Sequence, residues 1–253
     1  MKKYFICSDI HSFYSLWMKS LTENGFDEEN NDHIVVILGD LFDRGDEAIE
    51  CLNFVRKMNS KDRLIYIKGN HEQLLLDCFA ELQDYHRMIG FHHEHNRTID
   101  TIAAFMGVNK YDVMCGVYNS SKLEDDVLPI INELRSMWKP FYEVNDNIFT
   151  HGWIPIQKVH YGQCQISEQW RLGDWERAAW TNGMEAWSLG GGLPGKTIWC
   201  GHWHTSYGWC NILNKGTEWD EDAIFEPFIQ DGIVAMDGCV PVTKKVNCIV
   251  LNT

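Results

Sequence analysis

Five short apolar runs in this chain each stop abruptly at a polar cluster that contains aspartate, asparagine or histidine, and this pattern constrains the fold most. The runs are residues 4–7, 34–38, 64–67, 148–149 and 198–200. Their β-branched and aromatic content predicts buried strands. Because open α/β folds place their sites at the carboxyl ends of strands, we expect the polar clusters to be parts of one site.

The segments between and after these runs predict an α/β fold, also describable as α+β layers. Ile49, Leu52, Val55 and Met58 share one helical face, which indicates that helices alternate with the early strands. Residues 232–236 and 246–251 read as closing strands with little helix between them, which favours a mixed sheet or a second packed sheet. We interpret residues 1–253 as a single domain with a helical cap inserted at about residues 79–142.

Composition excludes several classes of protein. No run approaches the ~18 apolar residues of a membrane helix, and the N-terminus turns polar too early for a secretory signal. We therefore expect a cytoplasmic protein, or one in the host cytoplasm if a phage encodes it. The net charge of −14 argues against stable nucleic-acid binding. The oligomeric state stays open.

The five polar clusters contain the residue types of a metal centre. They are Asp9-x-His11, Gly39-Asp40-x-x-Asp43-Arg44-Gly45, Gly69-Asn70-His71-Glu72, His151-Gly152 and Gly201-His202-x-His204. Each cluster alone is more typical of an ordinary loop or a core histidine. Together they offer oxygen and imidazole ligands without a thiolate, which suits manganese, iron, zinc or similar ions. The set therefore predicts a metal site.

The order of these clusters resembles the calcineurin-like metallophosphoesterases, in the branch of Ser/Thr protein phosphatases and symmetrical diadenosine tetraphosphatases. The resemblance covers nearly the whole chain and implies a β-sandwich core flanked by helices. Residues 96–102 loosely follow an N-G-G-x-x-T-L segment of bacterial members. They keep Asn96 and Thr101 but carry Arg97 and Thr98 in place of the glycines.

The resemblance implies a dinuclear metal centre with seven ligands. Asp9, His11 and His204 would hold the first ion, and Asp40 would bridge to the second. The second ion would be held by Asn70, His151 and His202. Manganese is the expected metal, with iron, zinc or nickel as alternatives. The protein-phosphatase members often lack the last histidine, so the presence of His204 slightly disfavours a eukaryotic-type assignment.

The resemblance also implies the catalytic residues of a phosphoesterase. A hydroxide held between the ions would attack phosphorus directly, and His71 would protonate the leaving oxygen while Asp43 orients the imidazole. Arg44 would clamp the phosphoryl group, next to Asn70. A second clamp arginine is expected between the fourth and fifth clusters, where residues 173–177 resemble a W-x-R element of bacterial members. Arg177 is the candidate, with Arg171 as the alternative.

Several functions fit this pattern. We expect a phosphomonoesterase similar to Ser/Thr protein phosphatases, acting on a phosphorylated protein or a small phosphorylated molecule. The alternative is a bis(5'-nucleosyl)-tetraphosphatase, which hydrolyses dinucleoside polyphosphates. Arg44 and the negative charge disfavour a phosphodiesterase or nuclease. A binding module without activity is disfavoured because no expected ligand is lost.

Two further features have competing interpretations. The chain has eleven tryptophans, mostly between residues 138 and 219, which indicate a packed layer or an aromatic wall beside the metals. Trp203 is the candidate for such a wall. The cluster of His92, His93 and His95 is more typical of an exposed polar face than of a third metal site or a substrate contact.

Overall fold

Two five-stranded sheets form the centre of the computed structural model, which describes residues 1–84, 89–158 and 163–253. The first sheet contains, in spatial order, β12 (Cys248–Asn252), β1 (Lys3–Cys7), β2 (His33–Ile37), β3 (Leu64–Ile67) and β4 (Trp138–Lys139). The second contains β10 (Phe228–Gln230), β11 (Ile233–Ala235), β9 (Thr197–Cys200), β6 (Asn147–Phe149) and β5 (Tyr142–Val144). A separate antiparallel pair is formed by β7 (Ile156–Lys158) and β8 (Cys164–Ile166).

The inner strands of each sheet run parallel. Strands β1, β2, β3 and β4 are parallel neighbours, and β12 pairs antiparallel with β1. In the second sheet β6, β9 and β11 are parallel, while β5 and β10 are antiparallel edges. Parallel neighbours bring their carboxyl ends to the same edge of a sheet, which is what the predicted site requires.

Alternation of side chains along the strands explains why the sheets stack. Tyr4 and Ile6 on β1 pack in one apolar cluster with Trp199 and Val234 of the second sheet. Phe5, between them in sequence, points to the opposite face and packs in the cluster that the helices cover. Both faces of β1 are buried, so the strand reads as a continuous apolar run. The predicted sandwich with flanking helices is confirmed.

Helices cover the outer face of each sheet. Those on the first sheet include α1 (Tyr14–Glu23), α2 (Ala48–Ser60) and α3 (Asn70–Gln83). On the second sheet lie α8 (Leu172–Ala178) and α9 (Gly183–Ser188). The short α10 (Val240–Thr243) precedes β12.

The segment that we interpret as a cap is helical up to Met137. It contains α4 (Phe91–His95), α5 (Thr98–Met106), α6 (Lys110–Met114), a π-helical turn at Leu123–Val127 and α7 (Leu128–Met137). Helix α5 packs against both α2 and α3. The end of the predicted range, residues 138–142, differs from the expectation because Trp138 pairs with Tyr66 and extends the first sheet. Residues 85–88 of that range lie outside the described residues.

Within the described ranges, no helix has the length and apolar character needed to cross a membrane.

Candidate metal centre

Contacts between strand ends bring the five predicted clusters together. The backbone N–H of His202, after β9, donates to the Asp9 carboxylate after β1 at 3.0 Å. The N–H of His71, at the start of α3, donates to Asp40 Oδ1 after β2 at 3.0 Å. His151, after β6, lies 3.2 Å from the same Asp40 oxygen. The site is therefore built where β1, β2, β3, β6 and β9 end.

The loops that carry the site residues have unusual backbone conformations. Positive φ angles between 50° and 74° occur at Asp9, His11, Asp40, Asp43, Arg44 and His202. Non-glycine residues rarely adopt this left-handed region, and such strain concentrates at functional sites. Gly39, with φ of 90°, has no room for a side chain because a Cβ there would lie 2.5 Å from His151 Nδ1.

One group of potential ligand atoms surrounds the first oxygen of Asp40. Atoms of Asp40, His151 and His202 all lie within 4.8 Å of one another. Asn70 Oδ1 joins them, since it is 2.8 Å from both His151 Nε2 and His202 Nδ1. Asn70, His151 and His202 are the three residues predicted to hold one ion.

A second group surrounds the other oxygen of Asp40. His11 Nε2 and His71 Nε2 each lie 3.9 Å from Asp40 Oδ2, and atoms of these three residues fall within 4.8 Å of one another. Asp40 is the member common to both groups and presents a different oxygen to each. That placement suits a carboxylate shared by two cations.

Hydrogen bonds to backbone carbonyls orient two of the imidazoles as metal ligands. Nδ1–H of His151 donates to the Leu38 carbonyl at 2.6 Å, and Nδ1–H of His11 donates to the Phe42 carbonyl at 3.1 Å. The lone pair of each neutral ring then sits on Nε2, which faces Asp40. Such second contacts set the tautomer of metal-binding histidines. The donor atoms are oxygen and nitrogen, so the residues fit ions of the manganese, iron, zinc and nickel type.

Burial and mutual charge set the protonation states of these groups. Burial, followed by the nearby His151, lowers the pKa of His202 to about 4. Burial also holds the pKa of His11 well below its usual value. Burial alone would raise the pKa of Asp40, but the charges of the surrounding histidines outweigh it and hold that pKa below its usual range. The lowered pKa values favour the neutral rings of His11 and His202 and the anionic form of Asp40, and these are the forms that bind metal.

His71 pairs with Asp43 beside the second group. Nδ1 of His71 lies 2.7 Å from Asp43 Oδ2, and both side chains are buried. Burial works to lower the pKa of His71, but the charge of Asp40 and the hydrogen bond to Asp43 outweigh it and raise that pKa. The guanidinium of Arg44 is 3.4 Å from His71 Nε2, on the accessible side of the site.

Asp9 and His204 have other partners in this structure. Ser8 Oγ donates to Asp9 Oδ2 at 2.5 Å. Nδ1 of His204 lies 2.8 Å from Ser206 Oγ, and its Nε2 lies 3.4 Å from Glu218. Across residues 1–84, 89–158 and 163–253, neither residue belongs to a group of three ligand atoms within 4.8 Å. Their roles at the first ion stay predictions.

The two candidate second-clamp arginines are exposed. Arg177 forms an i,i+3 ion pair with Asp174, and its side chain is 77% exposed. Arg171 donates to Gln169 at 2.9 Å. Both residues are exposed, and the clamp role of either stays a prediction.

Two carboxylates at the site were given no role from the sequence, although Glu72 belongs to the predicted cluster at residues 69–72. Asp237 follows β11 and is buried; burial raises the pKa of Asp9, and the charge of Asp237 adds to that rise. Burial raises the pKa of Asp237 itself to about 6. Its position directly after the predicted strand at 232–236 was the available signal. Glu72 accepts hydrogen bonds from the backbone N–H groups of Asp40, Leu41 and Gly69, and so ties the loop after β2 to the start of α3.

The tryptophans and the histidine cluster also take definite positions. Trp203 is 37% exposed, and Trp180 lies with its ring 5.9 Å from the ring of His202.

His93 is fully buried, unlike the exposed face expected for its cluster, because α4 turns this side chain towards Glu81 of α3 at 3.6 Å. His92 and His95 are exposed as expected.

A cavity of about 600 Å³ opens beside Asn70 and His151, two of the predicted ligands of the second ion. Aromatic and basic side chains line it, among them Trp138, Trp153, Trp175, Trp180, Lys68, Arg135 and Lys139. It is therefore a space beside the site that could hold the rest of a substrate.

Curated proteins match part of this chain. A curated relative, serine/threonine-protein phosphatase 1 of Salmonella typhimurium, is 37% identical over 78 residues, which cover 31% of this chain and 33% of the relative. The symmetrical bis(5'-nucleosyl)-tetraphosphatase of Buchnera aphidicola is 32% identical over 84 residues, covering 33% and 28%. The matches thus span about a third of the length of these curated relatives.

Solved structures share the fold, and a family model matches most of the chain. The cold-active protein-tyrosine phosphatase of a psychrophilic Shewanella superposes with a TM-score of 0.53 at 15% identity, covering 100% of this chain and 76% of that one. The model of the calcineurin-like phosphoesterases matches residues 2–206. With its ligand groups at the ends of five strands and this match along most of its length, the chain belongs to the calcineurin-like phosphoesterase family.

Proposed function

We propose that this protein is a dinuclear metal-dependent phosphatase that hydrolyses phosphomonoesters. The observation that carries the proposal is the position of Arg44, whose guanidinium lies 3.4 Å from His71 Nε2. A bidentate anion clamp and a proton donor therefore face the same point, beside the two ligand groups. A terminal phosphoryl group has enough oxygens to occupy the clamp while its ester oxygen meets the imidazole.

We assign seven residues to the ions, of which His11, Asp40, His151 and His202 belong to the two groups around Asp40. Asp9, His11 and His204 would hold one ion, Asn70, His151 and His202 the other, and Asp40 both. When bound, such a pair polarises the phosphoryl oxygens and lowers the pKa of water to supply a nucleophile near neutral pH. Manganese is the expected metal, and a phosphorylated protein or small phosphorylated molecule in the cytoplasm is the expected substrate.

The protein's own residues handle binding and proton transfer. Arg44 would bind two phosphoryl oxygens and fix the orientation of the phosphorus. His71 would donate the proton on Nε2 to the leaving oxygen, which would otherwise depart as a poorly stabilised alkoxide. Asp43 accepts a hydrogen bond from Nδ1–H at 2.7 Å, so Nε2 is the nitrogen that takes up the second proton, and the carboxylate favours the charged imidazole that results.

The test is an assay of metal-reconstituted protein on three substrates. Protein loaded in turn with manganese, nickel, zinc and iron would be given an aryl phosphate, a phosphothreonine peptide and an aryl phosphodiester. We expect turnover of the monoesters that exceeds turnover of the diester. Absence of monoester turnover by protein that binds two ions would refute the proposal. Diester turnover that survives Arg44→Ala unchanged would favour a phosphodiesterase instead.

The cavity beside Asn70 favours a second candidate, a dinucleoside polyphosphate hydrolase. Trp138 and Trp180 offer aromatic faces to a nucleobase, and Lys68, Arg135 and Lys139 offer positive charge to further phosphates. A phosphopeptide needs neither feature.

Kinetics on two substrates would separate the candidates. The ratio of kcat/KM for diadenosine tetraphosphate to that for a phosphopeptide would be compared in Lys68→Gln and Lys215→Gln. Both lysines stack on a tryptophan, Trp138 and Trp209 respectively, but Lys215 is not among the cavity-lining residues. If the nucleotide is the substrate, only Lys68→Gln lowers the ratio. A ratio far below one in the wild type would exclude this candidate.

A further inference from the structure

Residues 96–101 lie in the cap and include the start of helix α5. Two side chains of this segment contact Asp43, the partner of His71. Thr98 Oγ1 donates to Asp43 Oδ2 at 2.9 Å, and Thr101 Oγ1 donates to Asp43 Oδ1 at 2.7 Å. The Asp43 N–H donates in return to Thr101 Oγ1 at 3.2 Å. Both threonines are buried, with relative exposures of 0% and 2%.

These contacts hold each oxygen of the Asp43 carboxylate separately. Oδ2 is shared by Thr98 and by His71 Nδ1, and Oδ1 is held by Thr101. The threonines are three residues apart, so they project from one face of α5 and reach both oxygens at once. With three donors in place, the carboxylate has one orientation, and the plane of the His71 ring follows from it.

The same segment fixes the backbone of Arg44. The Arg44 N–H donates to the Asn96 carbonyl at 3.3 Å, and Arg97 Nη1 donates to the Arg44 carbonyl at 2.5 Å. Arg44 has a φ of 61°, a strained conformation that such contacts on both sides stabilise. Arg97 is itself held by ion pairs with Asp46 and Asp100.

We propose that Thr98 and Thr101 are positioning residues for the proton donor, and that through them the cap is part of the catalytic machinery. The hydroxyls hold the Asp43 carboxylate in one orientation, so that His71 presents its Nε2 proton to the leaving oxygen. This inference rests on the proposed function, because it presumes that His71 is the acid. Thr98 stands where bacterial relatives are expected to carry glycine, so this contact is a property of this chain's own sequence.

The experiment measures how kcat depends on the leaving group. Thr98→Val, Thr101→Val and the double variant remove the hydroxyls with little change of shape. The first substrate is 2,4-dinitrophenyl phosphate, whose leaving group needs no proton. The other two are phenyl phosphate and a phosphoserine peptide, whose leaving groups both need one. Thr98→Ser and Thr101→Ser restore a hydroxyl, and Thr22→Val is the matched control, since its hydroxyl bonds only the Met18 carbonyl on exposed α1.

We expect the valine variants to lose roughly 10-fold in kcat on the phosphoserine peptide and phenyl phosphate. Turnover of dinitrophenyl phosphate and KM for all substrates should change less than twofold, and the serine variants should recover. A uniform loss on all three substrates would show a merely structural role, and no loss would show that the hydroxyls are dispensable. If thermal unfolding shows that the double variant does not fold, the two single variants provide the test of the proposal.

His71→Asn separates failure of this inference from failure of the proposed function. If His71→Asn loses activity mainly on the poor leaving groups while the valine variants do not, His71 is the acid and only the inference fails. If His71→Asn loses activity equally on all substrates, His71 does not donate the proton, and the mechanism in the proposed function fails with it.

Discussion

His71 Nδ1 lies 2.7 Å from Asp43 Oδ2, and both side chains are excluded from solvent. A charged imidazole in such a place depends on its carboxylate partner. We therefore expect Asp43→Asn to lower kcat on a phosphoserine peptide by ~10²-fold, because the asparagine cannot favour the protonated ring. Metal content, measured by inductively coupled plasma mass spectrometry, should not change. Loss of bound metal together with activity would contradict the assignment of Asp43 to proton transfer.

Arg44 should contribute to substrate binding and to the reaction, but not to the metal site. Two charge-assisted hydrogen bonds to a phosphoryl group predict that Arg44→Ala lowers kcat/KM by ~10–100-fold. We expect KM to rise and kcat to fall, measured on an aryl phosphate at fixed metal occupancy. Lys19→Ala, which removes an exposed charge on α1, is the control. Equal activity of the two variants would rule out a clamp at Arg44.

Metal binding should stabilise the folded protein through Asn70. Its Oδ1 lies 2.8 Å from both His151 Nε2 and His202 Nδ1, so these ligands are organised only in the folded chain. A hundredfold excess of manganese over its Kd should raise the Tm of chelator-treated protein by ~5–10 °C, measured by calorimetry. Asn70→Ala should reduce the Tm shift and the amount of bound metal. Asn59→Ala, at an exposed position, should change neither. An unchanged shift in Asn70→Ala would remove Asn70 from the ligands.

His33 should make stability depend on pH. The Asp27 N–H donates to His33 Nδ1 at 2.9 Å, so the folded state needs that nitrogen unprotonated. Burial, and then the nearby charge of Lys3, lowers the pKa of His33 from its ordinary value. Between the lowered pKa and about 6.5, the unfolded chain binds a proton that the folded protein does not, so this contribution to stability is lost as pH falls.

The measurement is the free energy of unfolding by denaturant between pH 5 and 7.5. The difference between wild type and His33→Asn should grow as pH rises through this window and then level off. Parallel curves would show that His33 has no coupling to folding.

Much of the site could be predicted because each ligand cluster follows a buried strand. Asp40 and Asn70 come directly after the apolar runs that form β2 and β3, and parallel strands bring such ends together. Asp237 follows β11 in the same way, but it belongs to no recognisable motif. Its position after a strand was therefore not enough to identify it as a site residue. The alternation of side chains along β1 confirmed the sandwich. The sequence conceals this alternation, because both faces of β1 are buried and the strand reads as one apolar run.

The sequence by itself determined the five strands that end at the site, the residue types at their ends and therefore the family. Only the tertiary structure decided which groups hold those residues in place: Thr98 and Thr101 on Asp43, 55 and 58 residues away, and the left-handed backbone at Asp40 and Arg44. The physical reason is that strand formation follows from a local pattern of apolar side chains. A hydrogen bond between distant segments, or a strained φ, exists only when the surrounding packing holds both partners.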